Sequence, residues 1–381
     1  MEEHSCMPKR EATQASFDTH INLSELLGRD VIPICSPTTC AVLQRKVILV
    51  TGAAGSIGSE LCRQLLSYKP KQVIALDINE TGLFDLAESL RTHPLVSCLH
   101  VQIGDIRNVR SMSRLLEKMQ PHIIFHAAAY KHVPLLEHHP DQAVHTNVVA
   151  TYHLCKLAQS YGVDRFVFIS TDKAADPTNI LGASKRLGEL IIQSLAQSTA
   201  DGTCFCSVRF GNVIGSRGSV VPVFARQIEC GGPITVTDPA ATRYFMTIPE
   251  ACDLVILTTT LTEQGELYLL DMGKPVKIID LAMKMIRTRG LHDGQDIAIT
   301  YTGLRPGERL HETLVASNET LSPTNQSKIF RITSQEKAPD LATITQWVHT
   351  LEEGLLHGDH GQLRESLLEV TQKQVLIAVS L

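Results

Sequence analysis

The sequence predicts an α/β protein: a Rossmann-type doubly wound parallel sheet with a smaller, interleaved C-terminal lobe. Three observations predict it. From Lys46 onward, strand-length apolar runs alternate with helix-period segments; those runs are apolar throughout rather than at every second residue; and a glycine-rich turn follows the first of them. Continuously apolar strands suit a parallel sheet covered on both faces. Strand–helix alternation is the mark of doubly wound folds.

The first strand is KVILVT (46–51), followed by a helix beginning near Ser56. QVIALD (72–77), LHVQIG (99–104), HIIFHAA (122–128) and RFVFIS (165–170) are the next four strands, each preceded by a helical segment. After about residue 210 Gly and Pro become frequent (GSRGS, ECGGP, TDPAA) and the candidate elements shorten. This divides the chain into a first domain over 46–210 and a lobe over 211–335, interleaved with it. Residues 336–381 read as two amphipathic helices, ATITQWVHTLEEGLLHG and GQLRESLLEVTQ, and residues 1–45, which lack periodicity, as an arm or linker.

Charge and composition exclude several classes. The chain has 381 residues, with 35 Lys and Arg against 40 Asp and Glu, and no long basic run. Nothing in it suits a nucleic-acid backbone. No apolar stretch reaches the roughly 18–20 residues of a membrane span, and the polar start MEEHSCMPKREATQASFDTH lacks the apolar middle of a secretory signal. The expected location is the cytoplasm. Ten cysteines are scattered without a Cys-x-x-Cys pair, which reads as reduced, mostly buried thiols.

VTGAAGSIGSE sets Gly52, Gly55 and Gly58 after a buried strand, with Ser56 and Ile57 opening the next helix. Such glycines let the backbone turn tightly against a pyrophosphate, and the helix start offers free N–H groups. Asp77 ends the second strand, where a carboxylate hydrogen-bonds the adenosine ribose and repels a 2′-phosphate. Its alternative reading is a helix cap before INETGL. Asp105 and Ile106 in GDIRN end the third strand over the adenine, and Ala127 ends the fourth beside the same site. Together these predict NAD as the cofactor. Thr171, Asp172 and Lys173 follow the fifth strand, at the end of an open α/β sheet where chemistry is placed. Asp172 and Lys173 could equally be a surface ion pair.

The segments VTGAAGSIGSEL, HAAAYKHVPLLE, STDKAADPTNILGASK, RFGNVIGSRGSVVPVF, TVTDPAATRYFMT and GLRPGERLHE, in that order, resemble the extended short-chain dehydrogenase/reductase superfamily. More narrowly they resemble its polysaccharide-biosynthesis branch of UDP-N-acetylglucosamine 4,6-dehydratases, over most of the chain from about residue 20, including INLSELLGRD (21–30). That superfamily usually keeps a tyrosine four residues before a lysine. Here the lysine is Lys185 and the tyrosine's place is taken by Leu181, which cannot carry a proton. The long, configuration-retaining members of the branch have methionine there and a membrane-spanning region before the catalytic half; this sequence resembles that half, without the spanning part.

The resemblance implies a lyase with tightly bound NAD. It would oxidise C4 of UDP-N-acetylglucosamine, eliminate water across C5 and C6, and return the hydride to C6, with retention at C5. Lys185 would hold the nicotinamide ribose. Lys173, with its pKa lowered by burial and by Lys185, would be the base at C5; a protonated Asp172 would donate to the departing hydroxyl; Thr171 would orient the C4 hydroxyl. The Asp172 and Lys173 roles could be exchanged. Asn212, Arg217 and Ser219 would hold the UDP pyrophosphate, joined by Arg243 and Arg305, with Glu308 on the uridine ribose or orienting Arg305. The expected partners are a UDP-sugar and further copies of the chain as a homo-oligomer. Lys131 and His132 lie close by without an assigned role. EHHPD (137–141) is not expected to bind metal, because adjacent histidines do not share one metal on a helix face. Two other readings stay open: a UDP-sugar 4-epimerase, which needs a proton acceptor beside C4, and a catalytically silent NAD-binding regulator.

Overall fold

A computed structural model describes residues 37–198, 202–261 and 264–376. Five strands, β1 (Val47–Thr51), β2 (Gln72–Asp77), β3 (Leu99–Ile103), β4 (Ile123–His126) and β5 (Arg165–Ile169), form where the apolar runs predict them. They are joined by β6 (Cys204–Arg209), β11 (Glu266–Leu270) and the hairpin β14 (Glu319–Pro323) and β15 (Ile329–Ser334). The nine-stranded order is β14-β15-β11-β6-β5-β4-β1-β2-β3. Every pair from β3 to β11 is parallel, and β15 and β14 add antiparallel at the far edge. The chain reverses its direction of winding between β1 and β4, so a crevice opens at the C-terminal ends of those strands, where such sheets bind nucleotides.

β1 is fully buried, as its apolar run requires, whereas β3 is the sheet edge and exposes Val101 and Ile103. The expectation of two covered faces fails there, on the face that carries Val101 and Ile103. Helices α1 (Pro37–Leu43), α2 (Ser56–Ser67), α3 (Glu80–Ser89), α4 (Val109–Met119), α5 (Val133–His138), α6 (Ala150–Ser160) and α7 (Ile180–Ser198) belong to this layer. α1 corrects the reading of residues 1–45 as an arm: Thr39 and Leu43 are buried, and Leu43 packs into the core under β1. INLSELLGRD and the rest of residues 1–36 lie outside the described residues. A π-helical turn, Ala143–Val149, precedes α6.

The lobe contains the short pairs β7 (Asn212–Val213) with β10 (Phe245–Met246), β8 (Ile234–Val236) with β13 (Ile299–Tyr301), and β9 (Thr242–Arg243) with β12 (Val276–Lys277). α8 (Val220–Glu229) and α10 (Ile278–Arg287) pack their buried residues, among them Phe224, Ile228, Leu281 and Met285, into a separate small core. Residue 210 is not a clean divide. α9 (Ile248–Thr258), β11 and the β14–β15 hairpin return to the main layer after the lobe has begun. α11 (Leu341–His357) and α12 (His360–Leu376) pack Ile344, Val348, Leu363 and Leu367 into the core cluster that contains α7. Among the described residues no helix is long and apolar enough to cross a membrane, and the described cysteines are free thiols.

Candidate active site

The dinucleotide half of the site is built on the turn from β1 to α2. Gly52 has φ of 71°, and a Cβ there would lie 2.6 Å from the Ala128 nitrogen. A Cβ on Gly58 would lie 2.1 Å from the Gly52 carbonyl oxygen, so the helix start fits against the turn only as glycine. Asp77 braces this loop: its Oδ2 accepts from the Ala54 nitrogen at 2.9 Å and its Oδ1 from the Asn79 nitrogen at 2.9 Å. The cap of α3 is Asn79, which accepts from Gly82, so the helix-cap reading of Asp77 does not hold. Asp105 is bound by Arg107 at 2.7 Å, and that guanidinium holds its carboxyl below the usual range.

A cavity of about 200 Å³ runs between these groups, lined by Gly52, Gly55, Asp77, Asp105, Ile106 and Ala127. Thr146, from the π-helical turn, also lines it, and its buried Oγ1 has no hydrogen-bond partner. Buried hydroxyls are normally paired. The orphaned hydroxyl, the Asp77 carboxylate at the end of β2 and the cradle that admits no Cβ fit a dinucleotide. Thr146 was not legible in the sequence, because only the π turn brings it here. Ser56 opens α2 and accepts from the Arg217 nitrogen at 3.1 Å; Ile57 packs against the core and accepts from Cys252 at its carbonyl.

Thr171, Asp172 and Lys173 stand at the end of β5. Thr171 Oγ1 donates to Asp172 Oδ1 at 2.9 Å, and Lys173 Nζ donates to the same oxygen at 3.0 Å. The Asp172 side chain is 0 % exposed and that of Lys173 15 %, so this is a buried pair and not a surface one. Asp172 Oδ2 is buried without a partner. Lys173 Nζ also reaches Asn212 Oδ1 at 3.4 Å and Glu312 Oε1 at 3.3 Å. The expectation of a lowered Lys173 pKa is overturned. Burial does favour the neutral amine, but Asp172 and Glu312 outweigh it and raise the pKa, and the neighbouring cation opposing them is Arg243, not Lys185. Lys173 is an ammonium in this site.

Burial lowers the pKa of Lys185 to about 7. Its Nζ donates to the Ile169 carbonyl at 2.8 Å and lies 4.6 Å from the centre of the Phe168 ring. Leu181, one turn earlier on α7, is buried in the core. His126 beside β1 is a packed core histidine: burial pushes its pKa down to about 3, and its ring nitrogens meet Thr51 and Thr151 hydroxyls.

The residues expected on the sugar-nucleotide phosphates are distributed differently. Asn212 joins the Lys173 cluster. Arg217 lies on the cofactor loop, donating from Nη1 to the Ala54 carbonyl at 2.9 Å, because the GSRGS loop folds back over the β1–α2 turn. Ser219 precedes α8 with its Oγ buried and unpartnered. Arg243 donates to Glu308 at 3.0 Å and to the Thr242 and Leu310 carbonyls. Glu308 therefore orients Arg243; from Arg305 it accepts only the backbone N–H, at 3.3 Å, and the Arg305 residue is exposed. Lys131 Nζ reaches Ser216 Oγ at 3.4 Å, and His132 packs against Gly218, so both support the GSRGS loop. In EHHPD, Glu137 accepts from the Ile180 nitrogen at the start of α7. No group of three potential metal ligands occurs among the described residues.

A family model described as polysaccharide biosynthesis protein matches residues 48–334. The capsular polysaccharide biosynthesis protein CapD of Staphylococcus aureus is 45 % identical over 312 residues, 82 % of this chain and 52 % of that protein. The chain thus spans about half the length of the curated relatives it matches. The X-ray structure of Pen from Bacillus thuringiensis superposes with a TM-score of 0.70 at 35 % identity, covering 78 % of this chain and 93 % of that one. A double mutant of DesIV from Streptomyces venezuelae, a dTDP-glucose 4,6-dehydratase solved with NAD and DAU bound, gives a TM-score of 0.61 at 25 % identity, covering 70 % of this chain and 87 % of that one.

Proposed function

The chain belongs to the polysaccharide biosynthesis protein family, and from that premise we propose that it is an NAD-dependent lyase converting UDP-N-acetylglucosamine to the 4-keto-6-deoxy sugar with retention at C5. The observation that carries this reading is the buried Thr171–Asp172–Lys173 cluster standing where Leu181 leaves no phenol. When bound, NAD supplies the acceptor for the C4 hydrogen and its later donor to C6.

The chain's own groups handle the protons. Thr171 Oγ1 donates to Asp172 and accepts from the Lys173 nitrogen at 3.5 Å, which leaves one lone pair to accept from the C4 hydroxyl, and that proton passes through it to the carboxylate. Discharging Asp172 removes one of the two negative charges that hold the proton on Lys173. Lys173 then gives its proton to the departing C6 hydroxyl and takes the C5 proton in its place. After exchange of its protons with water it returns one to C5 as C6 is reduced, and Asp172 restores the ammonium. The proton count closes over the cycle. One lysine removing and returning the C5 proton on one face gives retention. Asp172 lies beneath Lys173 and acts as a proton store rather than as a direct donor to the hydroxyl. Lys185 supports the nicotinamide ribose, and Arg305 and Ser219 the UDP phosphates.

The reading is tested by incubating the protein with UDP-N-acetylglucosamine and NAD and following the product by proton NMR. A C6 methyl doublet is expected; UDP-N-acetylgalactosamine as sole product would reject it in favour of an epimerase. Cofactor choice gives a second prediction. Asp77→Arg should weaken NAD about tenfold or more, from loss of charge-assisted hydrogen bonds to the ribose, and improve NADP relative to it in calorimetric titrations. Equal losses for both would remove Asp77 from the ribose.

A further inference from the structure

Lys173 is held from two sides. Asp172 and the Asn212 carbonyl oxygen reach its Nζ from the ends of the sheet, while Glu312 and Arg243 face it from the lobe. Glu312 is 9 % exposed, with Oε1 3.3 Å from Lys173 Nζ and 3.6 Å from Arg243 Nε. Its segment is fixed at both ends. Upstream, Thr242 donates from its nitrogen to the Leu310 carbonyl and pairs through Oγ1 with His311; downstream, Arg209 holds the Leu314 carbonyl and Glu319 accepts from Ala316. A carboxylate this buried, with two cations within 4 Å, is placed by the fold and not by chance contact of long side chains.

We propose that Glu312 is a positioning residue of the reaction, fixing Lys173 Nζ at the seam between sheet and lobe and holding its proton until Asp172 is discharged. This rests on the dehydratase reading above. Before the reaction, Asp172 and Glu312 together balance Lys173 and Arg243, and Glu308 adds a further negative charge on the far side of Arg243. Once the C4 proton reaches Asp172, Glu312 is the one carboxylate left in contact with the ammonium, shared with Arg243. A second carboxylate therefore keeps the lysine from losing its proton early, and its partial sharing lets the proton go at the right step.

The test reads the lysine directly, without turnover. The protein with NAD bound is acylated competitively with acetic anhydride at fixed pH, and the modification of Lys173 relative to exposed Lys69 is scored by peptide mass spectrometry. Because the neutral amine reacts, Glu312→Gln should raise the relative rate about tenfold, equivalent to one pH unit of proton affinity. Glu312→Asp, which keeps the charge, should stay near the wild type. The same Gln variant should lower kcat with little change in KM, and the Lys173 limb of its pH profile should move to lower pH. Unchanged Lys173 reactivity in a folded Gln variant that still binds NAD would overturn the proposal, as would equal rises in the Gln and Asp variants. Failure of the dehydratase reading is seen separately: a wild-type product other than the 4-keto-6-deoxy sugar removes the reaction while leaving the acylation result to judge Glu312.

Discussion

Turnover should fall by about 10³-fold or more when Asp172→Asn and Lys173→Ala are combined, within the range expected for losing positioned acid–base catalysis. In the proposed reaction the cluster handles protons at C4, C5 and C6, and Leu181 offers nothing in reserve. NAD binding should survive, because neither residue lines the dinucleotide cavity, which is formed from the ends of β1 to β4 and the π turn. The rate of keto-sugar formation and the NAD affinity, measured on the same preparation, separate the two effects. Each single change should be nearly as damaging as the pair, since the residues act as one unit and effects within such units do not add. A double variant eliminating water at near-normal rate would mean that the chemistry lies elsewhere.

The largest effect on stability is expected at Arg209. It is fully buried and donates to Glu189 at 3.0 and 2.7 Å, to Glu319 at 2.7 and 3.2 Å, and to the Leu314 carbonyl at 3.2 Å. Arg186 is the other cation on both carboxylates, and Ser170 donates to Glu189 at 2.6 Å. Arg209→Met would leave two buried carboxylates sharing one guanidinium, which costs about 3–5 kcal/mol for a broken buried pair. The loss should appear as a lowered midpoint in urea. Adding Glu189→Gln and Glu319→Gln should recover part of it, because removing the stranded charges removes much of the penalty. A change below about 1 kcal/mol would show that water or rearrangement replaces the arginine. The network joins α7, β6 and the start of β14, so its loss should also loosen the segment that carries Glu312.

The sheet was legible because four of its first five strands are nearly pure apolar runs, and burial between helix layers leaves such a run few other structures to adopt. The glycine turn and the place of Asp77 at the end of β2 were legible for a local reason: both depend on residues within one β–α–β unit. What escaped depends on contacts between distant segments. Glu312 meets Lys173 only because the lobe folds onto the end of β5, and nothing in RLHET marks that approach. The resemblance places Arg217 on the UDP phosphates, and nothing in its segment marks the return of GSRGS over the β1–α2 turn, which sets its Nη1 on the Ala54 carbonyl. The same distance effect reversed the expected direction for Lys173: burial alone lowers a lysine's pKa, and the second carboxylate that outweighs it comes from the lobe. Thr146 depended on a π turn, a local irregularity common at functional sites and without a periodic signature.

In the proposed reaction one bound sugar loses hydrogen at C4 and gains it at C6 while Lys173 exchanges the proton at C5. This is tested by mixing UDP-N-acetylglucosamine deuterated at C4 with unlabelled, carbon-13-marked substrate, and repeating the reaction with ordinary substrate in heavy water. The C4 label should arrive at C6 of the same molecule without crossing to the carbon-13 pool, and heavy water should place deuterium at C5. Return of the label to C4 with no deuterium at C5 would contradict the proposed reaction.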